Sequence, residues 1–306
     1  MNITTLHGDS RELLDTLEAE SAQCVVTSPP YWMLRKYTDD PREIGRELTP
    51  AAFVTALTDV FQKCHRVLKS NGTLWIVIGD TYANDSKWGG ATGGKHAGGL
   101  HGAINGMRDR KHSGLPDGNL VGIPWRLAFA LQDSGWILRQ EIIWDKPNAM
   151  PDPTKSRCTR SHETVFMFSK TRGYYYDAAA IAEPATATTN RGGNKKAQHL
   201  VVGKGAYGDG FKERWQPGET RNARSVWSIA TIGLADEHYA PMPQALAERC
   251  IRASSAAGDT VLDPFGGSGT TGRAALVLQR SAVLIDLGYQ DMQARRTDGV
   301  QVELFV

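Results

Sequence analysis

Two apolar runs far apart in the chain, each ending in a tight polar turn, constrain the fold more than anything else in the sequence. Val26-Thr27 leads into Ser28-Pro29-Pro30-Tyr31-Trp32, and Val261-Leu262 leads into Asp263-Pro264-Phe265-Gly266-Gly267-Ser268-Gly269-Thr270-Thr271-Gly272. Open α/β sheets bind ligands at the carboxyl ends of their strands, where turns of this kind are delivered. Together the two runs predict a cofactor site and a reaction site on one sheet.

The rest of the pattern agrees. Runs rich in β-branched and apolar residues predict strands at 2–6, 23–27, 73–78, 138–144, 163–168, 260–262 and 282–285. Between them, apolar stripes at helical spacing predict helices at 10–17, 50–68, 123–133, 243–254 and 270–278, several opened by a polar residue or proline. Alternation of this kind reads as a doubly wound sheet, and 306 residues suffice for a sizeable core. Two stretches break the pattern. Residues 84–120 hold ten glycines and no apolar period, which predicts a long loop. Residues 178–240 form a second irregular region, and from Thr186 to Arg224 eight Lys or Arg stand against three Asp or Glu, interleaved with Tyr207, Phe211 and Trp215.

The glycine-rich turn lies between a strand and a helix, the context in which backbone approaches a nucleotide and free N–H groups face it. Asp286 ends the next strand, twenty residues beyond Gly266, where a carboxylate accepts from ribose hydroxyls. Glycines at 267, 269 and 272 also fit the dinucleotide fingerprint, so spacing alone leaves NAD open. No phosphate-binding lysine follows, which argues against a P-loop.

In the other turn, two consecutive prolines stiffen the chain and remove two N–H donors, leaving carbonyls to point elsewhere. Ser28 Oγ and the Pro29 carbonyl can then accept both protons of one NH2 group, while Tyr31 offers a stacking face. Such an arrangement localises the lone pair of an exocyclic amine and aims it at an electrophile without a strong base. The plain alternative is a stiffened strand exit with Tyr31 filling the core.

Thr27-Ser28-Pro29-Pro30-Tyr31 together with Asp263-Pro264-Phe265-Gly266-Gly267-Ser268-Gly269-Thr270-Thr271 resembles the S-adenosylmethionine-dependent DNA amino-methyltransferases, in the β-class order with the catalytic motif first. His7-Gly8-Asp9-Ser10, Gly72 to Asp80, Ile142 to Asn148, Arg160 to Glu163, Ser225 to Ile229 and Pro241-Met242-Pro243 extend the resemblance over most of the chain. It implies an α/β fold, a permuted Rossmann-like methyltransferase with a mostly parallel sheet, helices on both faces and an irregular target-recognition insert. The catalytic half would be 1–177, the target-recognition region 178–240 and the cofactor half 241–306. Ser28, Pro29, Pro30 and Tyr31 are implied as catalytic; Asp9, Asp263, Phe265, Gly267, Gly269, Thr270 and Asp286 as binding S-adenosyl-L-methionine. The run Leu287-Gly288-Tyr289 departs from what many relatives carry there, which leaves the rim of the adenine pocket open.

Serine before Pro-Pro-Tyr is typical of cytosine-N4 enzymes, and aspartate of adenine-N6 enzymes, although some of the latter carry serine; the resemblance therefore puts cytosine N4 slightly ahead. Methylation at cytosine C5 needs a cysteine that the relevant family places after a proline, and none of Cys24, Cys64, Cys158 and Cys250 follows one. The target base must leave the duplex, with Tyr31, or Trp32 in its place, as the stacking ring. Arg191, Lys195, Lys196, Arg214, Arg221 and Arg224 are implied to contact double-stranded DNA, as phosphate or guanine ligands. His96, His101 and His112 are too irregularly spaced for a metal site, and the reaction needs none. Relatives of this class often dimerise, which makes a homodimer the expectation, and the resemblance leaves two settings open, a separately encoded restriction endonuclease as partner or a solitary regulator of transcription. A net charge of +2, scattered cysteines, no leader pattern and no membrane-length apolar run point to a cytoplasmic protein. An RNA or protein methyltransferase and a DNA-binding regulator without catalysis are the competing readings.

Overall fold

The computed structural model describes residues 1–34, 37–83, 113–152, 154–185, 220–231 and 242–297. They divide into two compact units, Met1–Asp177 with Ser225–Val306, and Ala178–Arg224.

The larger unit is built on one eight-stranded sheet. Its strands are β1 (Ile3–His7), β2 (Ala22–Thr27), β3 (Leu68–Ile78), β4 (Ile137–Asp145), β5 (His162–Ser169), β8 (Val226–Ser228), β9 (Thr260–Asp263) and β10 (Ser281–Asp286). They lie in the order β1-β10-β9-β2-β3-β5-β4-β8. All pairs are parallel except those that β5 makes with β3 and β4. The helices α1 (Ser10–Thr16), α2 (Pro50–Val67), α3 (Ile123–Asp133), α4 (Gln244–Ser254), α5 (Thr270–Val277) and α6 (Gln290–Thr297) connect or follow these strands.

Local chemistry explains the long helices. Thr49 accepts the Ala52 N–H at 3.1 Å, Pro50 opens α2, and Phe53, Leu57, Val60, Phe61 and Cys64 bury one stripe. At α3 the Asp80 carboxylate, 42 residues upstream, accepts the N–H groups of Gly122 and Ile123 at 2.9 Å each. The central strands β2, β3, β5 and β9 are buried on both faces over most of their length, as a helix-covered sheet requires. Val25, Leu74, Ile76, Phe166, Phe168 and Leu262 join α2 and α3 in one core. The alternate positions face the other way, where Trp75 stacks on Trp227 at 6.2 Å and the Arg249 guanidinium of α4 lies 4.5 Å over the Trp227 ring.

The edge strand β8 and helix α6 were not legible in the sequence, and β8 moves 225–231 out of the expected insert and onto the sheet. The expected loop at 84–120 is also shorter at its far end. Leu120 bridges Tyr82, and Val121 N–H donates to the Thr81 carbonyl at 2.9 Å, so the segment after 112 is pinned to the end of β3. In the smaller unit, β6 (Glu183–Pro184) pairs with β7 (Thr220–Arg221). No helix among the described residues is long and apolar enough to cross a membrane.

The order of strands creates the site. From β2 the chain crosses by α2 to β3 on one side, while from β9 it crosses by α5 to β10 on the other. The crossovers diverge between β9 and β2, and a crevice opens beyond the carboxyl ends of those two strands.

Candidate active site

Both motifs end at that switch point. Thr27 Oγ1, closing β2, donates to Asp263 Oδ1 at 2.6 Å, and the Phe265 N–H donates to the same oxygen at 3.0 Å. Asp263 is only 3 % exposed. Burial pushes its carboxyl up from 3.8 to about 6, against the hydrogen bonds from Thr27, Thr271 and Phe265 that favour the charged form. A desolvated carboxylate held this way gains from any cation that arrives beside it.

The glycine-rich turn is folded by its own backbone and clamped from behind. Gly269 N–H donates to the Gly266 carbonyl at 2.8 Å, and Gly269 takes φ +81° just before α5. A side chain there would be strained, and its Cβ would lie 3.3 Å from Gln293 Cα. From α6, Gln293 Nε2 donates to the Gly267 carbonyl at 3.0 Å and Arg296 Nη1 to the Ser268 carbonyl at 2.8 Å. Asp286 faces the turn: Oδ2 accepts the Gly267 N–H at 2.7 Å and Oδ1 the Gly288 N–H at 2.9 Å. Burial raises its carboxyl too, again against backbone hydrogen bonds.

Across the crevice the Ser28-Pro29-Pro30-Tyr31 segment leaves β2. Tyr31 Oη donates to Glu163 Oε2 at 2.5 Å, and Lys146 Nζ pairs with Glu163 Oε1. Burial, then the Glu163 charge, push the Tyr31 phenol well above its ordinary value of 10.0, while the Ser28 hydroxyl pulls the other way. The phenol is therefore protonated and donates. Gly79, at the exit of β3, makes room for the ring: a Cβ there would stand 2.6 Å from Tyr31 Cε2. A second rim forms where the Glu43 carboxylate accepts the N–H groups of Tyr37 at 2.7 Å and Thr38 at 3.1 Å, and Tyr37 meets Tyr289 edge-on at 6.3 Å.

These walls enclose one cleft of about 330 Å³, within the size range of small-molecule sites. The sequence profile of the family described as "DNA methylase" matches residues 22–294. The chain belongs to the DNA methylase family. The type II methyltransferase M.Cfr9I of Citrobacter freundii is 39% identical over 298 residues, covering 97% of this chain and 88% of that one. Two solved structures share the fold. The cytosine-N4-specific PvuII DNA methyltransferase superposes with a TM-score of 0.64 at 20% identity, over 99% of this chain and 89% of its own. A DNA modification methylase from Thermus thermophilus, complexed with S-adenosyl-L-methionine and itself assigned only provisionally, gives 0.57 at 23% identity over 100% of both chains.

Of the residues expected at the methylase site, Asp9, Ser28, Pro29, Pro30, Tyr31, Asp263, Phe265, Gly267, Thr270 and Asp286 all border the cleft. Gly269 does not; it shapes the turn. Trp32 is a correction as well: it is 1% exposed, its Nε1 donates to the Glu47 carbonyl at 2.7 Å, and it serves the core rather than a stacking surface. Asp9 borders the cleft while capping α1. Burial would raise its carboxyl, but bonds from Arg11, at 2.8 Å from the backbone N–H and 2.5 Å from Nη2, outweigh burial and lower it. In the smaller unit Arg221 and Arg224 both reach Glu183 Oε2, at 3.5 Å and 3.0 Å. Arg191, Lys195, Lys196, Arg214 and the three loop histidines lie outside the described residues. The open rim is filled by Leu287 and Tyr289, which line the cleft. Sequence reasoning missed what Glu163 and Gly79 do for Tyr31. Both lay in segments that carried the resemblance, but only the folded sheet brings them to the ring.

Proposed function

We propose that the protein transfers a methyl group from S-adenosyl-L-methionine to the N4 amino group of a cytosine flipped out of duplex DNA. The observation that carries this reading is that the Ser28-Pro29-Pro30-Tyr31 turn and the Asp263 to Thr271 turn border one cleft at the switch point of the sheet.

The donors present suit that cofactor. Asp286 offers a carboxylate to a ribose diol beside the Gly267 N–H, Asp263 offers a buried negative charge to an ammonium, and Tyr289 and Leu287 offer flat and apolar surface to a purine. When bound, S-adenosyl-L-methionine supplies a methyl group on a positively charged sulfur. The chain's own residues prepare the nucleophile. Ser28 Oγ and the Pro29 carbonyl oxygen accept the two amine protons, which localises the nitrogen lone pair that ring conjugation otherwise delocalises. The Tyr31 ring, held by Glu163 and backed by Gly79, stacks on the flipped base and keeps water from the reacting nitrogen. As the amine nitrogen gains the methyl group and the sulfur is left a neutral thioether, the amine becomes cationic, and its surplus proton would pass along the hydrogen bond to Ser28 Oγ and on to solvent.

In this reading the region 178–240, with Arg191, Lys195, Lys196, Arg214, Arg221 and Arg224, contacts the DNA. The enzyme works in the cytoplasm as a homodimer, and the type II names of its relatives favour a separately encoded restriction endonuclease beside it. The test is transfer of labelled methyl to plasmid DNA and to RNA, followed by nucleoside analysis. N4-methyldeoxycytidine from plasmid alone is expected. N6-methyldeoxyadenosine would reassign the base, and label only in RNA or protein would overturn the substrate.

A further inference from the structure

The cleft has two ends of different character, and its cations divide between them. Among the described residues bordering it, the cationic side chains are Arg42 and Lys146. Arg42 is committed elsewhere: Nε and Nη2 donate to Asp40 at 3.1 Å and 2.8 Å, and Nη1 to Glu12 at 3.1 Å. Lys146 is different. Its side chain is 18% exposed, its Nζ pairs with Glu163 Oε1, and the ammonium lies 4.3 Å over the Trp144 ring. An ammonium has three protons to donate. Glu163 accepts one, so donor capacity faces a cleft whose neighbouring wall, Ser28 and Pro29, is made of acceptors.

Glu163 also fixes where that donor stands. Its other oxygen accepts the Tyr31 phenol at 2.5 Å, so the stacking ring and the ammonium are tied to one carboxylate at the ends of β4 and β5. A base lying on Tyr31 with its amine against Ser28 and Pro29 would therefore meet the ammonium along its own edge. Here the two candidate bases differ. Next to its amine, cytosine carries two acceptors in succession, N3 and O2. Adenine carries N1 and then a C–H group, which leaves a second donor bond unmade.

We infer that Lys146, positioned by Glu163, is a specificity-determining residue that donates to the N3/O2 edge of the flipped base and makes the cleft favour cytosine over adenine. The inference rests on the methyl-transfer reading above, and it names the part of the site that selects the base. A site built to hydrogen-bond a substrate atom discriminates strongly against an analogue that lacks it.

The experiment uses the full chain and a synthetic duplex carrying whatever motif the enzyme modifies in host DNA. It compares wild type with Lys146→Met and Lys146→Arg, on the normal duplex, on one with 2-thiocytosine at the target, and on one with adenine there. Loss of a charged donor predicts that Lys146→Met lowers kcat/KM on cytosine by about ten- to a hundredfold and on adenine by less, since adenine loses one bond and cytosine two, so that the cytosine to adenine ratio narrows by about three- to tenfold. Lys146→Arg should restore part of the ratio. Sulfur in place of O2 should slow wild type several-fold and leave Lys146→Met indifferent, a response that a merely structural lysine does not give. Melting temperatures of the variants within a few degrees of wild type exclude a folding defect. If Lys146→Met slows both bases equally, or neither, or keeps its sensitivity to 2-thiocytosine, this inference falls while the methyl-transfer reading stands. If wild type makes only N6-methyladenine, this inference falls together with the choice of cytosine; if it transfers no methyl to DNA, the methyl-transfer reading falls as well.

Discussion

Replacing Asp263 by Asn should make the protein more stable and worse at holding its cofactor. The carboxyl stands at about 6 in the folded chain against an ordinary 3.8, because burial disfavours the charge. A difference of about two units at about 1.4 kcal/mol each puts the destabilisation at neutral pH at about 3 kcal/mol. Asn keeps an oxygen to accept the Thr27 and Phe265 protons that now bond at 2.6 Å and 3.0 Å, and its NH2 turns the Thr271 contact from acceptor to donor, so the loss in exchange is smaller than the gain. The sign of the pH dependence follows from a raised folded-state value. Between 3.8 and about 6 the native chain binds the proton that the unfolded chain has released, so stability falls as pH rises through this window and stays low above it. Urea unfolding of both proteins at pH 8 and pH 5 tests this. Asp263→Asn should be the more stable by up to about 3 kcal/mol at pH 8, with the gap narrowed by about half at pH 5. Calorimetric titration should show its S-adenosyl-L-methionine affinity weakened by about tenfold or more. A variant less stable than wild type at pH 8, by a margin independent of pH, would refute the claim that this carboxylate is held charged against its desolvation.

Other substitutions separate the cleft from its scaffold. In Gly79→Ala the new methyl meets a ring carbon 2.6 Å away. Displacing Tyr31 should lower the methylation rate by up to about a hundredfold while cofactor affinity is unchanged, as single-turnover kinetics and titration would show. Gly269→Ala forces an L-residue into φ +81° and should cost about 1–2 kcal/mol by thermal unfolding. Trp32→Ala should cost about 3–5 kcal/mol as a core cavity, whereas Trp32→Phe, which keeps most of the volume, should leave the KM for DNA unchanged. A raised KM in Trp32→Phe would return Trp32 to the DNA surface.

Much of the sheet was legible because its strands are buried on both faces and its helices carry clean apolar stripes. Val25, Leu74, Ile76 and Phe53 announce themselves by spacing alone. What failed were elements whose reason lies far away in sequence. β8 is three residues long with Val226 57% exposed, and it forms because Ile143 and Trp144 present a free edge to it. Helix α6 has few apolar residues and is held by what Gln293 and Arg296 donate to the glycine-rich turn. At the site, both turns were visible because their chemistry is local to a few consecutive residues. The support for Tyr31 was not, since Glu163 lies 132 residues beyond it, and no local pattern records that β5 runs antiparallel so as to bring that carboxylate to the same end of the sheet. Trp32 was misjudged because an aromatic residue beside a motif looks alike in sequence whether it faces solvent or core.

The most direct test of the central claim is single-molecule sequencing of DNA from a methylation-free host expressing either the wild-type chain or its Ser28→Ala, Tyr31→Ala double variant. Wild type should leave N4-methylcytosine at one sequence motif, and the double variant, accumulating as folded protein, should leave none. Unmodified DNA under soluble wild-type protein, or modification that survives loss of both side chains, would contradict the claim.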